Sequence, residues 1–115
     1  ACLARVILNE AGNQPRAGQL AVAQVVMNRM RSPRFPNSIC GVINQRGQFA
    51  SIRSFHPPRS GARWRRALAI ARDARDGVSA PVVGRALYFH ATHVRPGFAR
   101  SRTRVAQLGD HIFYR

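Results

Sequence analysis

The chain has 115 residues, 45% of them hydrophobic, which is enough for one compact domain with one core and not the composition of a disordered polymer. Its formal charge is +15, from 19 basic residues against four acids, and every basic residue is arginine. Such a surface attracts polyanions, either nucleic acid or anionic cell-envelope polymers, although arginines scattered this widely read first as a solvated surface. No apolar run approaches bilayer-spanning length. No charged-then-apolar leader is visible, which leaves the compartment open because the chain starts directly in a helical pattern, as a trimmed domain would.

The first predicted helix is Cys2–Ala11. Its apolar stripe runs Leu3, Val6, Ile7, and the next position on it is Glu10, the only carboxylate before Asp73. An unpaired carboxylate on an apolar face is costly and tends to hold its proton. Gly12 follows as a helix terminator, which places Glu10 near the negative end of the helix dipole. Burial and dipole favour the protonated acid; nearby arginines act the other way. A carboxyl tuned upward is what a general acid needs. The competing reading of the local pattern is a surface group or a structural ion pair with an arginine.

Residues 15–30 read as a second helix with Pro15 at its start. Its stretch 20–30 is apolar on nearly every side, the mark of a central buried helix. Gln19, Gln24 and Asn28 are the polar exceptions; buried amides need partners, so Gln19 and Asn28 are expected to fix loops or face a cleft, with simple capping or solvent contact as the alternative. Residues 32–36 hold two prolines and form a loop. Asn37 is placed to cap a short helix through Val42 or Ile43. Residues 45–55 are polar and irregular, with Gln48 and Phe49 as a short strand or a cleft edge. His56-Pro57-Pro58 excludes helix interior. Ser60 caps a helix that runs to Asp76 and ends at Gly77, with Trp64, Ala67, Leu68 and Ala71 on its buried stripe. After Pro81 the period changes: 86–90 is strand-like, and Arg104–Leu108 and His111–Tyr114 flank Gly109-Asp110 as a tight hairpin. Helices first and a small antiparallel sheet last make an α+β domain.

Cys2 and Cys40 permit one disulfide, which would tie the first helix to the third element; two buried free thiols are the alternative. His90 and His93 have ligand-like spacing and His111 could join them, but no HExxH helix and no neighbouring acidic ligand accompany them, so no metal is expected. No GxSxG, P-loop or dinucleotide fingerprint occurs. Asp73 and Asp76 read as local charge partners, and Asp110 as a turn residue. This leaves one candidate acid. Ordinary glycosidases use two carboxylates, so a chain with one fits a reaction in which that acid changes role, first donating a proton to the leaving oxygen and then accepting one as an internal hydroxyl attacks.

The ordered set 3–12, Gly18-Gln19-Leu20-Ala21-Val22-Ala23, Val25-Val26-Met27-Asn28-Arg29, Pro33-Arg34-Phe35-Pro36, Ile39-Cys40-Gly41-Val42-Ile43, Gln48-Phe49, Ala86-Leu87-Tyr88-Phe89-His90, Val94-Arg95-Pro96 and Gly109-Asp110-His111-Ile112-Phe113-Tyr114 resembles the SleB-type cell wall hydrolase family along essentially the whole chain. The resemblance implies a lysozyme-like helical domain with a small antiparallel sheet formed mainly by the C-terminal part, spanning 1–115 as a single catalytic domain. It implies cleavage of peptidoglycan glycan strands between N-acetylmuramic acid and N-acetylglucosamine, in the manner of lytic transglycosylases that leave a 1,6-anhydro end. The family's catalytic glutamate falls on Glu10. Gln48, Phe49, Tyr88, His90, His111 and Tyr114 follow as cleft and substrate-binding candidates, mostly by motif position. No cofactor is implied, and the expected setting is a monomer in the periplasm or cell envelope. The chain departs from the family at Ala50, where serine is usual, and at Asp110, where asparagine is usual. A hydrolytic muramidase using the same acid, a noncatalytic arginine-rich module that binds nucleic acid, and a zinc peptidase acting on stem peptides are the alternatives.

Overall fold

The computed structural model describes residues 1–49 and 51–115; Ala50, one of the two departures from the family pattern, lies outside the described residues. Four helices come first: α1 (Cys2–Ala11), α2 (Arg16–Met30), α3 (Ile39–Ile43) and α4 (Gly61–Asp76). Three strands follow: β1 (Tyr88–Ala91), β2 (Arg104–Leu108) and β3 (His111–Tyr114). They form one antiparallel sheet in the order β1-β3-β2. The α+β expectation therefore holds.

Helix α2 is the central element. Nearly every side of it is covered, from Gly18 to Ala23 and from Val25 to Met27. One apolar cluster joins it to α1, α3 and α4 through Leu3, Val6, Ile7, Leu20, Val26, Val42, Trp64, Ala67 and Ile70. A second cluster, Ala21, Val25, Val83, Ala86 and Phe113, joins its other side to the sheet. The three amides of α2 fix loops. Gln19 Nε2 donates to the Ala11 carbonyl at 3.1 Å. Gln24 donates to Ala80 O (3.0 Å) and accepts from Val82 N–H (2.9 Å). Asn28 donates to Gly84 O (3.0 Å) and Ala86 O (2.9 Å). Gln24 and Asn28 hold segment 80–86 on the helix and so fix where β1 begins, while Gln19 ties α2 to the end of α1.

Several boundaries differ from the sequence reading. Ser38, not Asn37, caps α3, accepting from Gly41 N–H at 3.0 Å. Ser60 holds the cap position of α4 but its side chain makes no capping bond, whereas Gly77 ends α4 in the left-handed conformation as expected (φ +70°). Strand β1 starts at Tyr88, two residues later than the expected Ala86, because residues 80–86 are held on α2 instead. Gln48 and Phe49 form no strand; they lie in a turn, and Phe49 is buried. Gly12 closes α1 in right-handed geometry. A methyl there would meet Leu8 O at 2.6 Å and Arg63 Nη2 at 2.8 Å, so the position needs glycine for space and not for φ.

Cys2 and Cys40 are bonded, with Cα atoms 5.5 Å apart, which ties α1 to α3. The hairpin turn is anchored as well. Gly109 takes a φ of +56°, Gln14 Nε2 donates to Asp110 Oδ2 (3.0 Å), and Asp110 N–H donates to Gln14 Oε1 (3.1 Å). The reciprocal pair links the β2–β3 turn to the loop that follows α1.

Candidate active site

Glu10 sits in the last turn of α1, on the stripe of Leu3, Val6 and Ile7, which are 5%, 0% and 0% exposed. The glutamate itself is half-buried at the margin of that stripe. Its Oε2 accepts from Asn9 Nδ2 at 2.8 Å. Burial raises its pKa, and the Asn9 hydrogen bond opposes that shift. The expected influence of arginines is not seen in any pair: the ion pairs among the described residues are Arg16–Asp73 (2.7 Å) and Arg75–Asp76 (3.7 Å). Asp73 is thus a partner across helices and not the local one expected. Arg63, beside the end of α1, spends a donor on Gly12 O at 3.2 Å. Of the four carboxylates, the two aspartates of α4 are in ion pairs and Asp110 is clamped by Gln14. Glu10 is the one left on an apolar helix face with a neutral donor.

The sheet divides the other candidates. Successive strand residues face opposite sides, and the register pairs Tyr88 with Tyr114 and Phe89 with Phe113. Phe89, His111 and Phe113 therefore share the face toward α2. Phe89 stacks on Phe113 (5.5 Å between centroids) and meets His111 edge-on (5.3 Å) and Phe49 at 6.2 Å. His111 is 8% exposed, and its Nδ1 has no partner among the described residues. Burial lowers its pKa, Asp110 opposes and His90 adds to the lowering. Burial thus disfavours the charged ring.

Tyr88, His90 and Tyr114 share the opposite face. His90 Nε2 lies 2.8 Å from Tyr114 Oη, and its Nδ1 lies 2.7 Å from Ala91 O. A carbonyl only accepts, so Nδ1 carries the proton and Nε2 accepts the tyrosine O–H. Phe98 covers this pair from the turn Gly97–Arg100, with centroids 5.6 Å from Tyr114 and 5.5 Å from Tyr88. A concavity of about 430 Å³ opens beside it, lined in part by His90, Tyr114, Arg95 and Arg100. The six candidates are therefore not one cluster. Phe49 and His111 belong with the core side, Tyr88, His90 and Tyr114 with the outer side, and Gln48 is exposed near the first group.

One buried charge escaped the sequence reading. Arg29, on α2, is 4% exposed. Its Nε donates to Leu87 O (2.7 Å) and its Nη1 to Gln48 Oε1 (3.0 Å). The guanidinium carbon lies 4.8, 5.3 and 5.6 Å from the ring centroids of Phe35, Phe49 and Tyr88. Burial lowers its pKa to about 10, and Tyr88 opposes that shift. The signal was available: Arg29 continues the stripe Val22, Val25, Val26 at helical spacing, as Glu10 continues its own.

A second concavity, of about 620 Å³, lies against Leu8, Phe55, Pro57, Arg63 and Trp64, and Glu10 is not in its lining. Leu8 and Glu10 are two residues apart and so point to nearly opposite sides of α1. Glu10 therefore faces the other side. Among the described residues no group of three or more His, Cys, Asp or Glu side chains is placed to hold a metal ion. No helix is long and apolar enough to cross a membrane.

Solved structures define the fold class. The chain superposes on the catalytic domain of the Bacillus cereus SleB protein with a TM-score of 0.85 and 28% identity, over 98% of this chain and 86% of that one. It matches the catalytic domain of the germination-specific lytic transglycosylase SleB of Bacillus anthracis equally well, with a TM-score of 0.85 and 28% identity over 99% and 91% of the two chains. Residues 13–114 match the Cell Wall Hydrolase family, and the chain belongs to that family. Glu10 stands three residues before the matched span. Spore cortex-lytic enzymes of Halalkalibacterium halodurans and Bacillus subtilis are 33% and 32% identical over 96% of this chain. The chain spans about a third of the length of these relatives, 33% and 35%.

Proposed function

We propose that residues 1–115 form the catalytic domain of a peptidoglycan glycosidase that cuts the bond between N-acetylmuramic acid and N-acetylglucosamine as a lytic transglycosylase. The observation that carries this reading is the isolation of Glu10: half-buried, held by a neutral donor, with its pKa raised, while the other three carboxylates are engaged elsewhere. Protonated Glu10 gives its proton to the glycosidic oxygen as the bond from that oxygen to the muramyl anomeric carbon breaks. The same carboxylate then takes the proton of the muramyl 6-hydroxyl as that oxygen bonds to the anomeric carbon. One acid serves both steps, no water is consumed, and the product is a 1,6-anhydro end. The substrate's N-acetyl group supports the positive anomeric carbon.

Gln48, Phe49 and His111 frame the core side of the proposed cleft, and Tyr88, His90 and Tyr114 support the sheet edge. The arginine surface holds the enzyme on anionic polymer in the cell envelope, outside the cytoplasm, and no cofactor takes part. Similarity to SleB of Bacillus anthracis, a germination-specific lytic transglycosylase, supports the assignment. Mass spectrometry of products from purified peptidoglycan tests it, with wild type beside Glu10→Gln. Anhydromuramic ends that vanish in the variant are expected. Reducing muramic ends would make the enzyme a hydrolase with the same acid, and undiminished cleavage by Glu10→Gln would remove Glu10 from the mechanism.

A further inference from the structure

We propose that Arg29 fixes the side-chain amide of Gln48 so that Gln48 presents its NH2 group to the acyl oxygen of an N-acetyl sugar. The inference rests on the glycan reading above. Its starting point is the chemistry of the donor. A guanidinium has five N–H donors and no acceptor, so the atom of Gln48 that lies 3.0 Å from Arg29 Nη1 is necessarily the amide oxygen. The usual ambiguity of an amide flip is thereby removed. The Gln48 nitrogen points away from Arg29, on an exposed side chain, and makes no hydrogen bond among the described residues.

Arg29 is itself immobilised. Its bond to Leu87 O and its three ring neighbours set the plane of the guanidinium, and it is 4% exposed. A charged donor on the amide oxygen also polarises the amide and makes its N–H groups stronger donors. With its oxygen committed, Gln48 suits a partner that accepts and need not donate. In a glycan of N-acetylated sugars that partner is the acetyl carbonyl, whereas hydroxyls do both. Position agrees: Phe49, the next residue, is buried in the cluster that contains Leu3, Val6 and Ile7, the stripe that Glu10 continues. Lysine at position 29 could supply one bond but not two fixed bonds with stacking. A buried cation with no acid partner among the described residues is costly to the fold, which sets Arg29 apart from the surface arginines. Arg29 is thus a positioning residue, and Gln48 the group that meets substrate.

The test is binding, in a Glu10→Gln background that prevents turnover. Dissociation constants are measured by calorimetry for N-acetylglucosamine tetramer and for glucosamine tetramer, with and without Gln48→Glu. Gln48→Glu keeps size and shape but replaces the free donor by an acceptor. The expected result is at least tenfold weaker binding of the acetylated oligomer and a tenfold or larger shift of preference toward the amine, at a melting temperature that does not fall, since the new carboxylate pairs with Arg29. Arg29→Met should weaken the acetylated oligomer several-fold, and Arg29→Lys should recover part of that loss. If the Arg29 variants do not fold, the exposed Gln48 variant decides alone. A preference that moves less than twofold in Gln48→Glu overturns the proposal, as does equal binding of both oligomers by the parent. Because binding needs no bond cleavage, these outcomes are separate from the product analysis. Peptidoglycan cleavage with no preference shift removes only this inference, and a preference shift without cleavage removes only the catalytic reading.

Discussion

Two charged residues interrupt apolar helix stripes, Glu10 on α1 and Arg29 on α2, and they are treated in opposite ways. Arg29 is almost wholly covered, bonded to Leu87 and Gln48 and stacked among three rings. Glu10 is half-buried, and its side-chain hydrogen bond among the described residues comes from its chain neighbour Asn9. A charge held from all sides keeps one state and one place, which serves geometry. A charge that is desolvated but loosely held keeps a shifted pKa and an open oxygen, which serves proton transfer. The same sequence anomaly thus has two physical outcomes, and the difference lies in how completely the surroundings satisfy the group.

The largest expected effect separates the two residues by activity. Glu10→Gln should lower glycan cleavage at least about 10³-fold, the scale of a lost general acid, while the melting temperature stays within a few degrees. Loss of cleavage together with loss of fold would make Glu10 a second Arg29. Next in size is the disulfide. Cys2→Ser with Cys40→Ser opens a closure of 38 residues, and the chain-entropy relation gives a destabilisation of about 4 kcal/mol. Denaturant unfolding measures it, and a change below 1 kcal/mol would show that packing alone joins α1 to α3. Arg29→Met should cost about 2 kcal/mol, because Leu87 O and Gln48 Oε1 lose a charged donor; a gain in stability would show the covered charge to be a net burden on the fold.

The pH dependence sharpens the contrast further. The folded pKa of Glu10 lies above its ordinary 4.5. A raised carboxylate pKa means the folded state holds the proton more tightly. The associated stability is full below 4.5 and is lost as pH rises through the folded pKa. As the acid, Glu10 should also leave cleavage to fall over that same upper limb, and Glu10→Gln should flatten the stability curve there. His111 has the opposite sign: its pKa is lowered from 6.5, so its contribution is present above 6.5 and is lost as pH falls through the folded value. Stability curves of Glu10→Gln and His111→Gln read the two limbs separately. The smallest effect belongs to the surface. Arg16→Ala removes the 2.7 Å pair with Asp73, whose side chains are 55% and 38% exposed, and should cost under about 1 kcal/mol.

Much of the fold was legible because its signals are local. The stripe of α1, the all-round apolarity of α2, the Gly77 stop and the Gly109-Asp110 hairpin each depend on residues within a few positions of one another. Glu10 was legible for the same reason, being a charge out of phase with its own helix. Arg29 carried the same signal and was passed over, because an arginine among nineteen reads as surface until its neighbours are known. The aromatic and histidine candidates were legible as residue types but not as a group. His111 and Tyr114 come from one motif yet face opposite sides of the sheet, so motif proximity gathered residues that the pleat separates.

The sequence by itself determined the helix-then-sheet order, the central place of α2 and the one carboxyl group out of pattern, since periodicity and turn chemistry act over a few residues. Only the tertiary structure decided that Asp73 reaches across to Arg16, that Gln14 holds the hairpin turn, that Cys2 meets Cys40 and that Arg29 gathers Gln48, Leu87 and three rings. Apart from the contact of Arg29 with Phe35, each of these joins residues nineteen or more positions apart, where no local pattern records the partner. Whether a charge becomes a tether or a reactive group depends on that distant company.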